Sequence, residues 1–199
     1  MKDREYRSME IRAVPPAENG KSYFVEGYAS TFDTYTIMTV DGIDYKERIE
    51  PTAFDGADLS DVVFRLDHEG RVYARSSAGT VELWTDEHGF GQRTFLGKTE
   101  ASRAVFDDIE AGNYPQMSFA FRVEEDGDEY DRATHTRIIR RIAKVYDVSP
   151  VAFPANPYTA LSVSTRDYFN GVIEIERAER LAQEERERQI KRIKLLSEA

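Results

Sequence analysis

The chain is a succession of short runs rich in β-branched and aromatic residues, with one internal stretch that has helical spacing. Residues 23–32 (YFVEGYASTF), 62–66 (VVFRL), 116–123 (QMSFAFRV) and 136–148 (TRIIRRIAKVYDV) read as strands. An alternating parallel α/β sheet needs a crossover helix between its strands, and this chain does not supply them. The pattern predicts a mainly β fold of the α+β kind, a sheet folded over or closed into a β-barrel and flanked by a few helices.

Local signals refine this reading. Residues 9–14 predict an exposed strand behind a charged lead of residues 1–8, and Pro15-Pro16 stops it. Asp41-Gly42 marks a hairpin, and Pro51 suits the first turn of a short helix that turns Phe54 inward. Strands are expected at 72–78, 80–84 and 92–96. Residues 99–112 form the internal helix, with Thr99 as its cap and Gly112 as its stop. Its apolar face reads as Ala101, Ala104, Val105, Ile109 and Ala111. The acidic segment 124–131 (EEDGDEYD) reads as a solvated hairpin tip, and 161–164 as a last strand. These elements place a domain at 9–165.

From about Gly171 the composition changes. Residues 172–199 lack proline and alternate Glu with Arg at helical spacing, acidic half first, which predicts a charged helical tail. Ile175, Ala178 and Leu181 offer a surface for docking on the domain, and Ile190, Ile193 and Leu196 make a second apolar patch. The tail reads as a helix that finds a partner chain or domain, with a frayed tail as the alternative.

Composition excludes several chemistries. The 199 residues contain no cysteine, so disulfides, thiolate metal sites and cysteine nucleophiles are ruled out. The formal net charge of -10 argues against a general nucleic-acid binder, which needs a basic face. No apolar run approaches the ~20 residues of a membrane span. The start, Met1-Lys2-Asp3-Arg4-Glu5, lacks the apolar stretch of a signal peptide.

Of the three histidines, His88 and His135 sit in polar turns and read as exposed. His68 differs, because an apolar strand runs straight into Asp67-His68-Glu69. Ser118 stands in the alternating strand Met117-Ser118-Phe119-Ala120-Phe121. A histidine that takes a proton and a serine that attacks a carbonyl are the minimum for nucleophilic acyl transfer, provided the fold brings them together. No Gly-x-Ser-x-Gly elbow is present, which argues against an α/β-hydrolase. Adjacent residues on a strand point to opposite faces, so Asp67, His68 and Glu69 do not suit one metal ion; no metal and no cofactor is expected. A carboxylate must orient the imidazole. Asp147 interrupts the apolar run Val145-Tyr146-Asp147-Val148-Ser149 and needs a partner there; Asp67 and Glu69 compete for the same role.

Taken in order, these segments resemble the prohead (head maturation) proteases of tailed bacteriophages, and most nearly their lambdoid-type enzymes. The residues that carry the resemblance are Glu47-Arg48-Ile49-Glu50-Pro51-Thr52-Ala53-Phe54, Asp67-His68-Glu69, residues 76–80 with Leu83, Gly112, and the strand around Ser118. Asp147-Val148-Ser149-Pro150-Val151 and Pro154-Ala155-Asn156-Pro157 complete it. The resemblance implies a closed barrel like that of herpesvirus capsid proteases. It makes His68 the general base, Ser118 the nucleophile and Asp147 the third member, where such enzymes usually carry Glu. The herpesvirus proteins use a second histidine in that place, and this chain has none nearby. Backbone N–H groups of Ala155 and Asn156 are the expected oxyanion donors, in a loop shaped by its prolines.

The resemblance also implies a substrate and a place. The enzyme would act inside the immature capsid in the host cytoplasm. It would remove the scaffolding segment of the major capsid protein and cleave itself, and homodimers are expected through a helix. Neither nucleic acid nor membrane is an expected partner. The alternative is a non-catalytic scaffold or assembly domain that binds capsid subunits through its C-terminal helix.

Overall fold

A computed structural model of the chain describes residues 5–14, 23–152 and 163–197. It divides into two units, residues 1–162 and residues 163–199. The first unit holds twelve described strands: β1 (Glu5–Val14), β2 (Phe24–Thr31), β3 (Tyr35–Val40), β4 (Ile43–Ile49), β5 (Val63–Leu66), β6 (Glu69–Arg75), β7 (Val81–Thr85), β8 (Gly89–Phe95), β9 (Gln116–Val123), β10 (Asp128–Asp131), β11 (Thr136–Ile139) and β12 (Ile142–Val151). Helix α1 (Glu100–Glu110) lies between β8 and β9, and helix α2 (Val163–Ser197) makes up the second unit.

Eight strands form one sheet in the order β6-β5-β12-β9-β1-β2-β8-β7, and four form another in the order β10-β11-β4-β3. The edge strands of the large sheet, β6 and β7, are consecutive in the chain. They are joined by a single short turn, Ser76–Ala78, so the two edges must meet. Thr80 Oγ1 accepts from Arg75 N across this junction at 2.9 Å. The sheet is therefore nearly closed and barrel-like, as the strand pattern predicts.

Inside it lies one apolar core. Phe54 stacks on Phe90, ring centroids 4.2 Å apart, and Phe119 on Phe121 at 4.5 Å. The Asp41-Gly42 turn joins β3 to β4 with both residues at positive φ, and Pro51 opens a 3-10 turn that buries Phe54. Thr99 caps α1, and its side chain and that of Ser102 satisfy each other's backbone N–H groups. The buried face of α1 is Ser102, Val105, Phe106 and Ile109. Ala104 and Ala111 are exposed, because Ser102 turns inward to donate to Leu96 O at 2.6 Å and rotates the helix about its axis.

Four expectations are corrected. The first strand starts at Glu5, and it lies between β2 and β9 near the middle of the sheet. Its charged residues looked solvated, yet Glu5 and Arg7 are buried in an ion network with the small sheet. Arg137 on β11 reaches Glu5 at 2.6 and 2.8 Å and Glu47 at 3.1 Å; Arg7 reaches Glu47 at 2.5 Å. Tyr35 donates to Glu47 as well, and Asp128 accepts from Arg137 at 2.6 Å. The acidic segment is a solvated turn only in part: Glu125 and Asp126 are exposed, but Asp128–Asp131 form β10 and Asp128 joins this network. The run 136–148 breaks at Arg140 into β11 and β12, which belong to different sheets. Finally, Val163 and Ser164 lie in α2 instead of a last strand, and residues 161–162 fall outside the described ones.

Burial opposes the charge of both arginines. The surrounding groups outweigh it: Glu47, Tyr35 and Glu5 hold Arg7 well above the ordinary arginine range, and Glu5, Glu47 and Asp128 do the same for Arg137.

Helix α2 is 35 residues long and exposes Leu181, Ile190, Ile193, Leu195 and Leu196. Among the described residues no helix is long and apolar enough to cross a membrane.

The network generates a stability prediction. Arg137→Met strands buried carboxylates and should cost about 3–5 kcal/mol in urea unfolding. Arg137→Lys should recover little of it, because an ammonium cannot reproduce the forked contacts. A loss under about 1 kcal/mol for Arg137→Met would show the network to be energetically idle.

Candidate active site

The site forms where β9, β12 and the β5–β6 turn meet. On β9, Met117, Phe119 and Phe121 point into the core, so Ser118 and Ala120 face the other side. On β12 the register slips between Val145 and Asp147: Val145 pairs with Phe121, but Asp147 pairs with Ala120. Tyr146 is the extra residue of a β-bulge. Without it Asp147 would share the core face with Val145. With it, Asp147 and Ser149 lie on the face of Ser118, and Ser149 stands directly opposite Ser118.

His68 arrives from the other flank. β5 pairs parallel to β12, Asp147 beside Val63, and the two-residue turn Asp67-His68 joins β5 to β6. Both turn residues are left-handed, with φ of 47° and 61°. That is the geometry of a type I′ hairpin, which Asp and His tolerate better than most side chains. Neighbours hold the turn. Asp67 N donates to Pro150 O at 3.1 Å, the Asp67 carboxylate accepts from Ala152 N at 3.0 Å, and Arg65 donates to His68 O at 3.3 Å.

From this turn the imidazole reaches back over β12. His68 Nδ1 lies 2.6 Å from Asp147 Oδ1. The same oxygen accepts from Ser149 Oγ at 2.7 Å. Asp147 and Ser149 are 2 % and 0 % exposed, whereas the His68 side chain keeps 18 %. Ser118 is 1 % exposed, and among the described residues its hydroxyl has no hydrogen-bond partner. A buried hydroxyl in that state is unusual.

The structure thus brings His68 and Asp147 into contact, with Ser118 one strand away on the same face. It separates the competitors for the acid. Asp67 pins the turn to β12, and Glu69 is exposed at the start of β6. His88 is exposed, as expected; His135 is half-buried against Tyr45 because it closes the β10–β11 hairpin. Ala155 and Asn156 lie outside the described residues. Among those described, no cluster of His, Asp and Glu is arranged to hold a metal ion. Sequence reasoning gave no role to Ser149. Its signal was its spacing: two residues beyond Asp147 on one strand, it shares that residue's face.

A serine on the same face as a histidine that is itself held by a buried carboxylate has the residue types that acyl transfer needs, and the family comparison places the chain in the class of serine proteases. The model of the caudovirus prohead serine proteases matches residues 7–172, and the chain belongs to that family. It is a serine endopeptidase of tailed-phage head maturation, acting on capsid protein inside the prohead. No curated protein and no solved structure matches it significantly.

The turn gives a prediction independent of catalysis. His68→Asn and His68→Val both delete the imidazole, but only valine is penalised in the left-handed region. Val should be less stable than Asn by about 1–2 kcal/mol in chemical denaturation. Equal stabilities would contradict a type I′ turn at this position.

Proposed function

We propose that Ser118, His68 and Asp147 form the catalytic triad of this protease, and that its substrates are the scaffolding segment of the major capsid protein and the protease itself. The observation that carries this reading is the 2.6 Å contact between His68 Nδ1 and Asp147 Oδ1, on the face to which Ser118 points.

In this mechanism the Asp147 carboxylate accepts from Nδ1–H. The tautomer is thereby assigned, and Nε2 becomes the basic nitrogen. Nε2 takes the Ser118 proton as Oγ attacks the scissile carbonyl carbon, and the imidazolium is steadied by Asp147. It then returns the proton to the leaving amine. Water enters by the same route in reverse and releases the acyl group. The serine–histidine bond is completed with substrate bound, as free enzymes often show such contacts long or unformed. Ser149 holds Asp147 in place through the shared oxygen. Backbone N–H groups of Ala155 and Asn156 are our choice for the oxyanion.

We assign the charged tail, 172–199, to holding the enzyme on the capsid shell of the prohead in the host cytoplasm. Self-pairing through this helix is the companion proposal. What supports both is the apolar group Ile190, Ile193 and Leu196, exposed on a helix that catalysis does not use.

Co-expression with the matching capsid protein tests the assignment. Wild type should shorten the capsid protein, Ser118→Ala should leave it full length, and Asp147→Asn should slow the cut by about a thousand- to ten-thousand-fold. Shortening by Ser118→Ala at the wild-type rate would exclude Ser118. Truncation before Val172 should abolish incorporation into proheads while sparing cleavage of free substrate. Unchanged incorporation would refute the role of the tail.

A further inference from the structure

A groove of about 690 Å³ opens where β1 changes partner. Its residues 5–10 pair with β9, and 11–14 pair with β2. The groove is lined at this junction by residues 9–12 of β1 and 26–28 of β2, and it continues to Trp84 and Asp86 at the far side. Met9 pairs with Met117, and the preceding residue of β1 pairs with Ser118. The near end of the groove is therefore one residue along β1 from the strand position opposite Ser118. Its charged rim, Arg12, Glu26 and Arg93, lies on the face of the sheet away from the core, the face that also carries the buried Ser118.

The far wall is built in advance. Trp84 lies flat on Gly91: a Cβ there would come within 2.3 Å of the indole, so only glycine admits the ring. Trp84 Nε1 and the Tyr28 hydroxyl both donate to Asp86 Oδ2, at 3.0 and 2.8 Å. The two rings meet edge to face with centroids 6.3 Å apart. Backbone N–H groups of His88 and Gly89 fix the other oxygen of Asp86. The hydrogen-bonding capacity of both aromatic donors is thus directed at Asp86. What the wall presents to an occupant is ring surface, which selects apolar bulk.

We propose that this groove is a substrate subsite of the protease: it holds the extended capsid-protein segment beside the scissile bond and seats a bulky apolar side chain against Tyr28 and Trp84. The proposal rests on Ser118 being the nucleophile. Strands in a sheet are roughly 4.8 Å apart, so measured along the curved surface of the sheet β2, with Tyr28, is roughly 10 Å from β9, and β7, with Trp84, roughly 19 Å. An extended peptide advances roughly 3.3 Å per residue, which sets the apolar residue about three to six positions from the bond cut. The protease thereby reads sequence well away from the cleavage point, and a substrate cut short on that side loses recognition without losing the bond.

The test compares wild type, Trp84→Ala and Tyr28→Ala as full chains. One readout is labelling of Ser118 by a small fluorophosphonate, which does not span the groove. The other is kcat/KM on the capsid-protein segment and on peptides trimmed to two residues either side of the cut. Both variants should label like wild type, cleave the long substrate about 10–30-fold less efficiently, and match wild type on the trimmed peptide. Wild-type efficiency of both variants on the long substrate overturns the subsite. So does an equal loss on long and trimmed substrates, which would place the effect on the catalytic residues. If wild type itself is labelled elsewhere than Ser118, the triad is wrong and the subsite falls with it.

Discussion

One extra residue in β12 decides which way this protein's chemistry faces. β9 and β12 are neighbouring interior strands of the large sheet, and their core sides carry Phe119, Phe121, Val145 and Val148. A strand with strict alternation would put Asp147 among those rings, where a carboxylate has no partner and a high desolvation cost. The bulge at Tyr146 moves it to the opposite face. There it finds His68 and Ser149, and there Ser118 already points. The site depends on this slip more than on any single side chain.

The bulge needs a stiff frame around it. β5 holds one flank of β12 in parallel register, and the Asp67 contacts to Pro150 and Ala152 fasten the histidine turn to the end of that strand. On the other side, β9 is backed by β1, whose Arg7 guanidinium lies 5.5 Å from the centre of the Phe121 ring and is tied by Glu47 to the small sheet. Strain at Asp67 and His68 is thus set against contacts on all sides. Non-glycine residues at positive φ persist under that condition, and they tend to occur at functional sites.

Much of this was legible in the sequence where the physics is local. Asp41-Gly42, Pro51 and Thr99 act within a few residues of themselves, and the structure uses each as its chemistry suggests. His68 and Ser118 stood out because apolar strands surround them. What the sequence hid was set by distant partners. Arg7 and Glu5 look like a solvated lead until Glu47 and Arg137 arrive, 40 residues from Arg7 and 132 from Glu5. Asp67-His68 carries no Asn-Gly signal, so its hairpin turn is imposed by tertiary contacts. The bulge at Tyr146, which turns Asp147 to the face opposite Val145, leaves no mark on composition.

The central claim is that Ser118, His68 and Asp147 act as one catalytic unit. The most direct measurement is the rate of capsid-protein cleavage by Ser118→Ala, His68→Ala and the Ser118→Ala/His68→Ala double variant. A single unit is destroyed by the first substitution, so the double variant should be no slower than either single one. If instead the two losses multiply in the double variant, the residues contribute independently, and the triad assigned here is contradicted.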